Sequence, residues 1–191
     1  MAEKKMYRNA IRSRKMIRHA FMELLREKPY EKITATDIIQ RADINRSTFY
    51  AHYPDVRGIM DEIMAEITQM FRAMLQSMDF TVFFEDPMPI LREVMEFVRR
   101  NQEIYQMLLQ SSVALEQLEQ LKKVLIAQVL ETPGLPVQNL GSVGLNVRVR
   151  ILLSGLVDTY RQLLMGELDC TMEEAAEEVA AVIQTFGLAS K

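Results

Sequence analysis

Apolar residues recur at steps of three and four along most of this chain, the spacing of one face of a helix. Over about residues 8–27, Ile11, Ile17, Ala20, Phe21, Leu24 and Leu25 share one side. That helix is predicted to stop before Lys28-Pro29, because the residue ahead of a proline is pushed out of helical geometry. Ile38, Ile39 and Ala42 supply the face of a short second helix, and Phe49 that of a third at about 46–53. A long stripe follows, from Ile59 and Met60 through Ile63, Met64, Ile67, Met70, Phe71, Met74 and Leu75 to Met78. It predicts a helix from Asp55 to Met78, about 36 Å long. The periodicity fails over 79–89, which reads as a loop. Helices are expected near 90–100, 102–110 and 112–130. A long connection over 131–142 holds two prolines and two glycines. Two more helices are expected at 145–166 and 171–187, the latter opened by a Thr171/Glu174 capping box. Gly155 and the alanines of the last helix are expected to let helix axes approach closely. No strand-like alternation of useful length occurs. The fold class is all-α, with an N-terminal three-helix domain at 1–54 and a C-terminal helical domain at 55–191.

The start and stop signals of the second and third helices lie unusually close together. Thr34 with Asp37 marks a helix start. Asp43 falls where the chain must turn, and Asp tolerates the left-handed conformation better than most residues. Asn45 can cap the helix that follows. That helix buries Phe49 and presents Arg46, Ser47, Thr48, Tyr50 and His52, a row of hydrogen-bonding side chains; Tyr53 is expected to pack beneath the fourth helix. Two short helices in this arrangement form a helix-turn-helix, whose second helix enters the DNA major groove.

Charge supports that reading. Residues 1–53 hold 12 Lys/Arg against 6 Asp/Glu, whereas the remainder holds 11 against 20. A basic head on an acidic body points to a polyanion at one end only. The overall pI of 5.6 hides this division.

Pro29-Tyr30-Glu31-Lys32-Ile33-Thr34, then Asp37-Ile38, Ala42, Ile44 and Thr48-Phe49-Tyr50-Ala51-His52-Tyr53, resembles the N-terminal domain of TetR/AcrR-family transcriptional regulators. The resemblance covers about residues 8–60; beyond it only the helical layout is similar. Two positions depart from the family's pattern. Asp43 stands where the family usually has Gly. Pro54-Asp55-Val56 replaces a segment that often carries a phosphate-contacting Lys, with Arg57 close by. The resemblance implies a double-stranded DNA operator read as a palindrome by a homodimer, most often as a repressor released by a ligand. The candidate DNA-contacting residues are Thr34, Thr36, Asn45, Arg46, Ser47, Thr48, Tyr50 and His52. Arg46, at the start of the recognition helix, is expected to reach a base edge and Tyr50 a phosphate oxygen. A rival reading is a co-activator or protein-binding module of the same fold that does not touch DNA.

Enzymatic readings have little chemistry to draw on. The two histidines, His19 and His52, both lie in the basic head, so the body lacks a histidine base for a serine or cysteine nucleophile. HExxH, paired CxxC and the Gly-rich phosphate loop are all missing. No metal and no cofactor are expected. The lone Cys170 excludes an internal disulfide framework. The N-terminus lacks the apolar core of a signal peptide, and no apolar run approaches a bilayer span, so a cytoplasmic protein without a membrane partner is expected.

Two assignments concern the body. Fourteen methionines, many on the fourth helix, read either as ordinary core or as the wall of a plastic pocket for a small apolar or aromatic effector. The pocket candidates are Met64, Met74, Phe97 and Tyr105, with Arg92 nearby. The broad apolar faces of the last two helices predict pairing across a two-fold axis, through Val149, Leu152, Leu156, Tyr160, Val179 and Ile183.

Overall fold

The computed structural model describes residues 2–83, 85–102, 104–105, 114–132 and 142–188. Every regular element among them is helical. α1 runs Ala2–Glu27, α2 Ala35–Arg41, α3 Arg46–His52, α4 Val56–Gln76, α5 Met88–Arg100, α6 Ala114–Glu131, α7 Ser142–Leu164 and α8 Met172–Leu188. α1 begins earlier than its apolar stripe, because the residues ahead of that stripe include good helix formers such as Glu and Lys. Ile104 and Tyr105 are helical; the rest of the helix expected at 102–110, and most of the connection expected at 131–142, lie outside the described residues.

The chain divides into two compact units, Met1–Ile67 and Thr68–Lys191. The division falls inside α4 rather than at residue 54. In the first unit α1 packs on α2 and α3. Its core joins Ile17, Phe21 and Leu24 of α1, Ile38 of α2, Phe49 of α3, and Ile59, Met60, Ile63 and Met64 of α4, all buried. The first half of α4 is thus used up by the N-terminal core, and this moves the boundary downstream.

In the second unit α6 packs on α7, α7 on α8 and α5 on α8. The segment expected as a loop after α4 carries a 3₁₀ turn, Phe80–Val82, closed by Asp79 accepting from the Thr81 amide at 2.9 Å. Phe80 and Phe83 are buried there with their ring centroids 5.8 Å apart. α5 starts two residues early because proline is well placed in the first turn, where its missing N–H is no loss.

α7 ends as helices commonly do. Gly166 takes φ +70°, its amide donates to Leu163 O at 3.1 Å, and the Glu167 amide reaches Gln162 O at 2.8 Å. That is a Schellman closure, which favours glycine at the left-handed position. The Thr171 box opens α8 as expected: the Glu174 amide donates to Thr171 Oγ1 at 3.1 Å, and the Thr171 amide to Glu174 Oε2 at 2.7 Å. Gly155 departs from expectation. A Cβ built there would meet nothing within 4 Å, so this glycine serves no close helix approach among the described residues.

Candidate nucleic-acid interface

The short helices α2 and α3 are held by side-chain caps at their starts and by a tight turn between them. Thr34 and Asp37 form a complete capping box: the Asp37 amide donates to Thr34 Oγ1 at 3.2 Å, and the Thr34 amide to Asp37 Oδ2 at 2.8 Å. Lys28 Nζ lies 2.8 Å from the same carboxylate and ties the end of α1 to the start of α2. That cation, together with Thr34, holds the Asp37 carboxyl down to about 2.

The turn reproduces the closure that ends α7, with a different residue at its centre. Asp43 sits at φ +50°, its amide donates to Gln40 O at 3.3 Å, and the Ile44 amide reaches Ile39 O at 3.2 Å. An aspartate therefore occupies the left-handed position for which glycine is the usual choice. Asn45 then caps α3, its Oδ1 accepting from the Thr48 amide at 2.7 Å and from Ser47 Oγ at 2.8 Å.

α3 has one anchor and one open side. Phe49 is fully buried and meets the Tyr50 ring edge-on at 5.2 Å. Tyr50 itself is exposed, and the Arg46 guanidinium lies 5.5 Å above its ring centroid, a cation–π contact. Thr34, Thr36, Asn45, Arg46 and Ser47 are exposed, and Thr48 and His52 half-buried. Asn45, Ser47 and Thr34 already spend hydrogen bonds on the caps, so Arg46 and Tyr50 are the long side chains of α3 with most reach.

α1 and α4 share a charge network that the sequence reading missed. Arg14 Nε donates to both Glu62 oxygens at 3.0 Å and to the Tyr53 hydroxyl at 3.3 Å. Arg18 bridges Glu62 at 2.9 Å and Glu66 at 2.6 Å. Burial works to raise the Glu62 carboxyl, but Arg14, Tyr53 and Arg18 outweigh it and hold it below the usual range. Arg18 does the same for Glu66. The signal was present as two ladders of opposite charge at i,i+4, Arg14/Arg18 on α1 and Glu62/Glu66 on α4. Tyr53 is buried and roofs this network. Arg41 is likewise engaged, with Glu27 at 2.7 Å. Arg12, Lys15, Lys32 and Arg46 are exposed and make no ion pair among the described residues.

The pocket candidates come together only in part. Met64 is 2% exposed and belongs to the core of the N-terminal unit. Met74 lines an open groove of the second unit beside Arg92, Glu96 and Arg100. Phe97 lines that groove too, and with Tyr105 it also lines an apolar cavity. The interface candidates also divide. Val149, Tyr160 and Ile183 are buried inside the chain. Leu152, Leu156 and Val179 line an open groove of about 530 Å³ between α7 and α8. Ile151 of α7 and Val182 of α8 also line it and are exposed, as are Val143 and Val147 elsewhere on α7.

Among the described residues no His, Cys, Asp and Glu cluster suited to a metal occurs, and no helix is long and apolar enough to cross a membrane.

A capped three-helix head with a tight helical turn and an exposed Arg–Tyr pair on its last helix defines the helix-turn-helix class of DNA-binding domains. Residues 17–63 match the family described as bacterial regulatory proteins, tetR family. It is 35% identical over 63 residues to an uncharacterized HTH-type transcriptional regulator, YxbF, of Bacillus subtilis (strain 168). That stretch is 32% of this chain and only 17% of the relative's length. Across nearly the whole chain the fold is similar to that of a TetR transcriptional regulator from Streptococcus agalactiae 2603V. The TM-score is 0.68 at 20% identity, covering 96% of this chain and 99% of that one. It is similar as well to a dihydroxyacetone kinase operon activator, DhaS, with TM-score 0.64 at 16% identity and coverage of 94% and 98%.

Proposed function

We propose that this protein is a sequence-specific, cytoplasmic transcriptional regulator that grips a palindromic operator as a homodimer and is released by a small effector. The observation that carries the reading is the Arg46–Tyr50 pair, exposed on an Asn45-capped helix whose other side is locked down by Phe49. Arginine delivers paired donors to a guanine edge, and a tyrosine hydroxyl reaches a phosphate oxygen.

Dimerisation is supported by the α7–α8 surface. Ile151 is 57% and Val182 49% exposed beside an open apolar groove. A second copy would cover these residues, and Gly155 would let its helices come close. Two heads must then sit about 34–36 Å apart to engage successive major grooves. An effector that favours a conformation with another spacing lowers operator affinity; coupling of about 1–3 kcal/mol is typical.

The second reading, a co-activator of this fold that does not read DNA, draws on the likeness to a protein described as an operon activator. An α3 freed from DNA would have no use for an exposed Arg46 stacked on Tyr50, and this favours direct readout.

Selection of bound sequences from a random duplex pool tests the proposal. An inverted repeat bound with Kd on the order of 10⁻⁸ M or tighter is expected. Recovery of no palindromic site would sink it.

A further inference from the structure

The cavity that holds Phe97 and Tyr105 carries a feature that ordinary core packing does not explain. Its walls come from Phe71 of α4, Phe97 of α5, Leu121 of α6 and Leu156 and Tyr160 of α7, with Tyr105 beside them. Its volume is about 60 Å³. Tyr160 is only 5% exposed, and its hydroxyl has no hydrogen-bond partner among the described residues. Buried polar groups left unpaired are rare in folded proteins, because each one gives up its bonds to water. Burial, with a smaller push from Glu173, moves this hydroxyl up to about 12, so it stays a neutral donor. Tyr105 is also raised by burial.

The lining also says what charge would be refused. Arg161 also lines the cavity, the one cation among the described residues that do, and it is committed elsewhere. Its Nε donates to Asp158 Oδ1 at 2.9 Å, and Nη2 lies 3.3 Å from Glu167 Oε2. An anion entering here would be desolvated without a free countercharge, which is strongly unfavourable.

We infer that the effector is a small, uncharged, ring-bearing molecule whose single acceptor atom takes the hydrogen bond that the Tyr160 hydroxyl lacks among the described residues. This rests on the reading of the C-terminal unit as effector-binding. The size of the cavity adds a consequence. A dry cavity of roughly 150 Å³ is what accommodates a benzene ring. A ring entering 60 Å³ must therefore part its walls, among them Phe71 on α4 and Leu156 on α7. Binding and movement of those helices are then the same event, which is what a switch requires.

The test uses the full chain and three probes of nearly equal shape: acetophenone, α-methylstyrene (which replaces the carbonyl oxygen by a methylene) and benzoate. Calorimetry on the unaltered protein is expected to show acetophenone binding about tenfold more tightly than α-methylstyrene, as one gained hydrogen bond allows. In Tyr160→Phe the two should bind alike, and that variant should melt no lower than the parent because it loses an unpaired hydroxyl. Benzoate should bind neither form. Equal affinities in the unaltered protein, a preference that survives in Tyr160→Phe, tight benzoate binding, or no binding of either neutral ring would each overturn the inference. Selection of DNA sites on the same preparation separates the two readings. A protein that recovers a palindrome but shows no acetophenone preference loses only this inference. One that shows the preference but recovers no palindrome loses only the DNA-binding function.

Discussion

The guanidinium of Arg46 stands over the ring of Tyr50, one helical turn away and 5.5 Å from its centroid. The contact holds a long, flexible side chain in one place before any DNA arrives, and so reduces the ordering that binding must bring about. Arg46→Ala is expected to cost about 1–3 kcal/mol per half-site and to relax base preference. Tyr50→Phe keeps the platform and removes the hydroxyl, so it should weaken all sequences alike. Tyr50→Leu should do both. Titration of the selected operator and its base-substituted variants reads the difference. Unchanged base preference in Arg46→Ala would reassign that residue to the phosphates.

Asp43 gives a prediction about stability. At φ +50° a side chain is tolerated rather than favoured. Asp43→Gly should be neutral or stabilising by up to about 1 kcal/mol, because glycine relieves the backbone but has more freedom to lose on folding. Asp43→Val, β-branched at a left-handed position, should destabilise by about 1–2 kcal/mol. Urea melts of the two variants should bracket the parent.

Acid should loosen the N-terminal unit. The Asp37 carboxyl is held at about 2, and Glu62 and Glu66 are held below the usual range. A depressed carboxyl contributes in full above its unfolded value, about 4, and loses that contribution as pH falls through the folded value. Melting temperature should therefore be insensitive to these groups from about pH 5 to 8 and decline below about pH 4. Asp37→Asn should melt lower at neutral pH and decline less in acid. A variant as acid-sensitive as the parent would remove Asp37 from the account.

Assembly can be probed without disturbing the fold. Ile151 and Val182 are exposed in the single chain, so Ile151→Glu or Val182→Glu should leave its melting nearly unchanged. Both should sediment as monomers and lose operator binding. Leu156→Glu is different: Leu156 is buried, and a charge there should unfold the unit. A parent protein that sediments as a monomer at micromolar concentration would contradict the proposal.

Two methionines of α4 should behave differently. Met64→Ala empties a fully packed site and should cost about 2–5 kcal/mol with effector response intact. Met74 is half-buried at an open groove. Met74→Ala should cost less than Met64→Ala in the same denaturant series.

The head was legible because its signals are local. Thr34 with Asp37, Asp43 and Asn45 each fix a backbone position within a few residues, and each stands where the pattern placed it. The body was less legible because α7 carries two apolar stripes. Val149, Leu153, Leu156 and Tyr160 turn inward, while Val143, Val147 and Ile151 repeat at the same helical spacing and face out. Periodicity identifies a stripe but not which stripe meets its own chain. Met64 was grouped with Met74 for a related reason. One continuous stripe on α4 serves two cores in succession, and nothing in its spacing marks where the first yields to the second. The Arg14–Glu62 contact joins residues far apart in sequence, beyond the reach of any local rule.

The ion pairs of the N-terminal unit also alter how the basic head is to be counted. Residues 1–53 hold twelve lysines and arginines, yet Arg14, Arg18, Lys28 and Arg41 already face carboxylates. A cation so engaged must leave its partner before it can displace a condensed counterion from DNA. Each phosphate newly neutralised contributes about 0.9 to the slope of log affinity against log salt. That slope should therefore be shallower than twelve cations per head imply, and Arg12, Lys15, Lys32 and Arg46 should dominate it. Operator binding would then tolerate ionic strength better than the head's composition suggests.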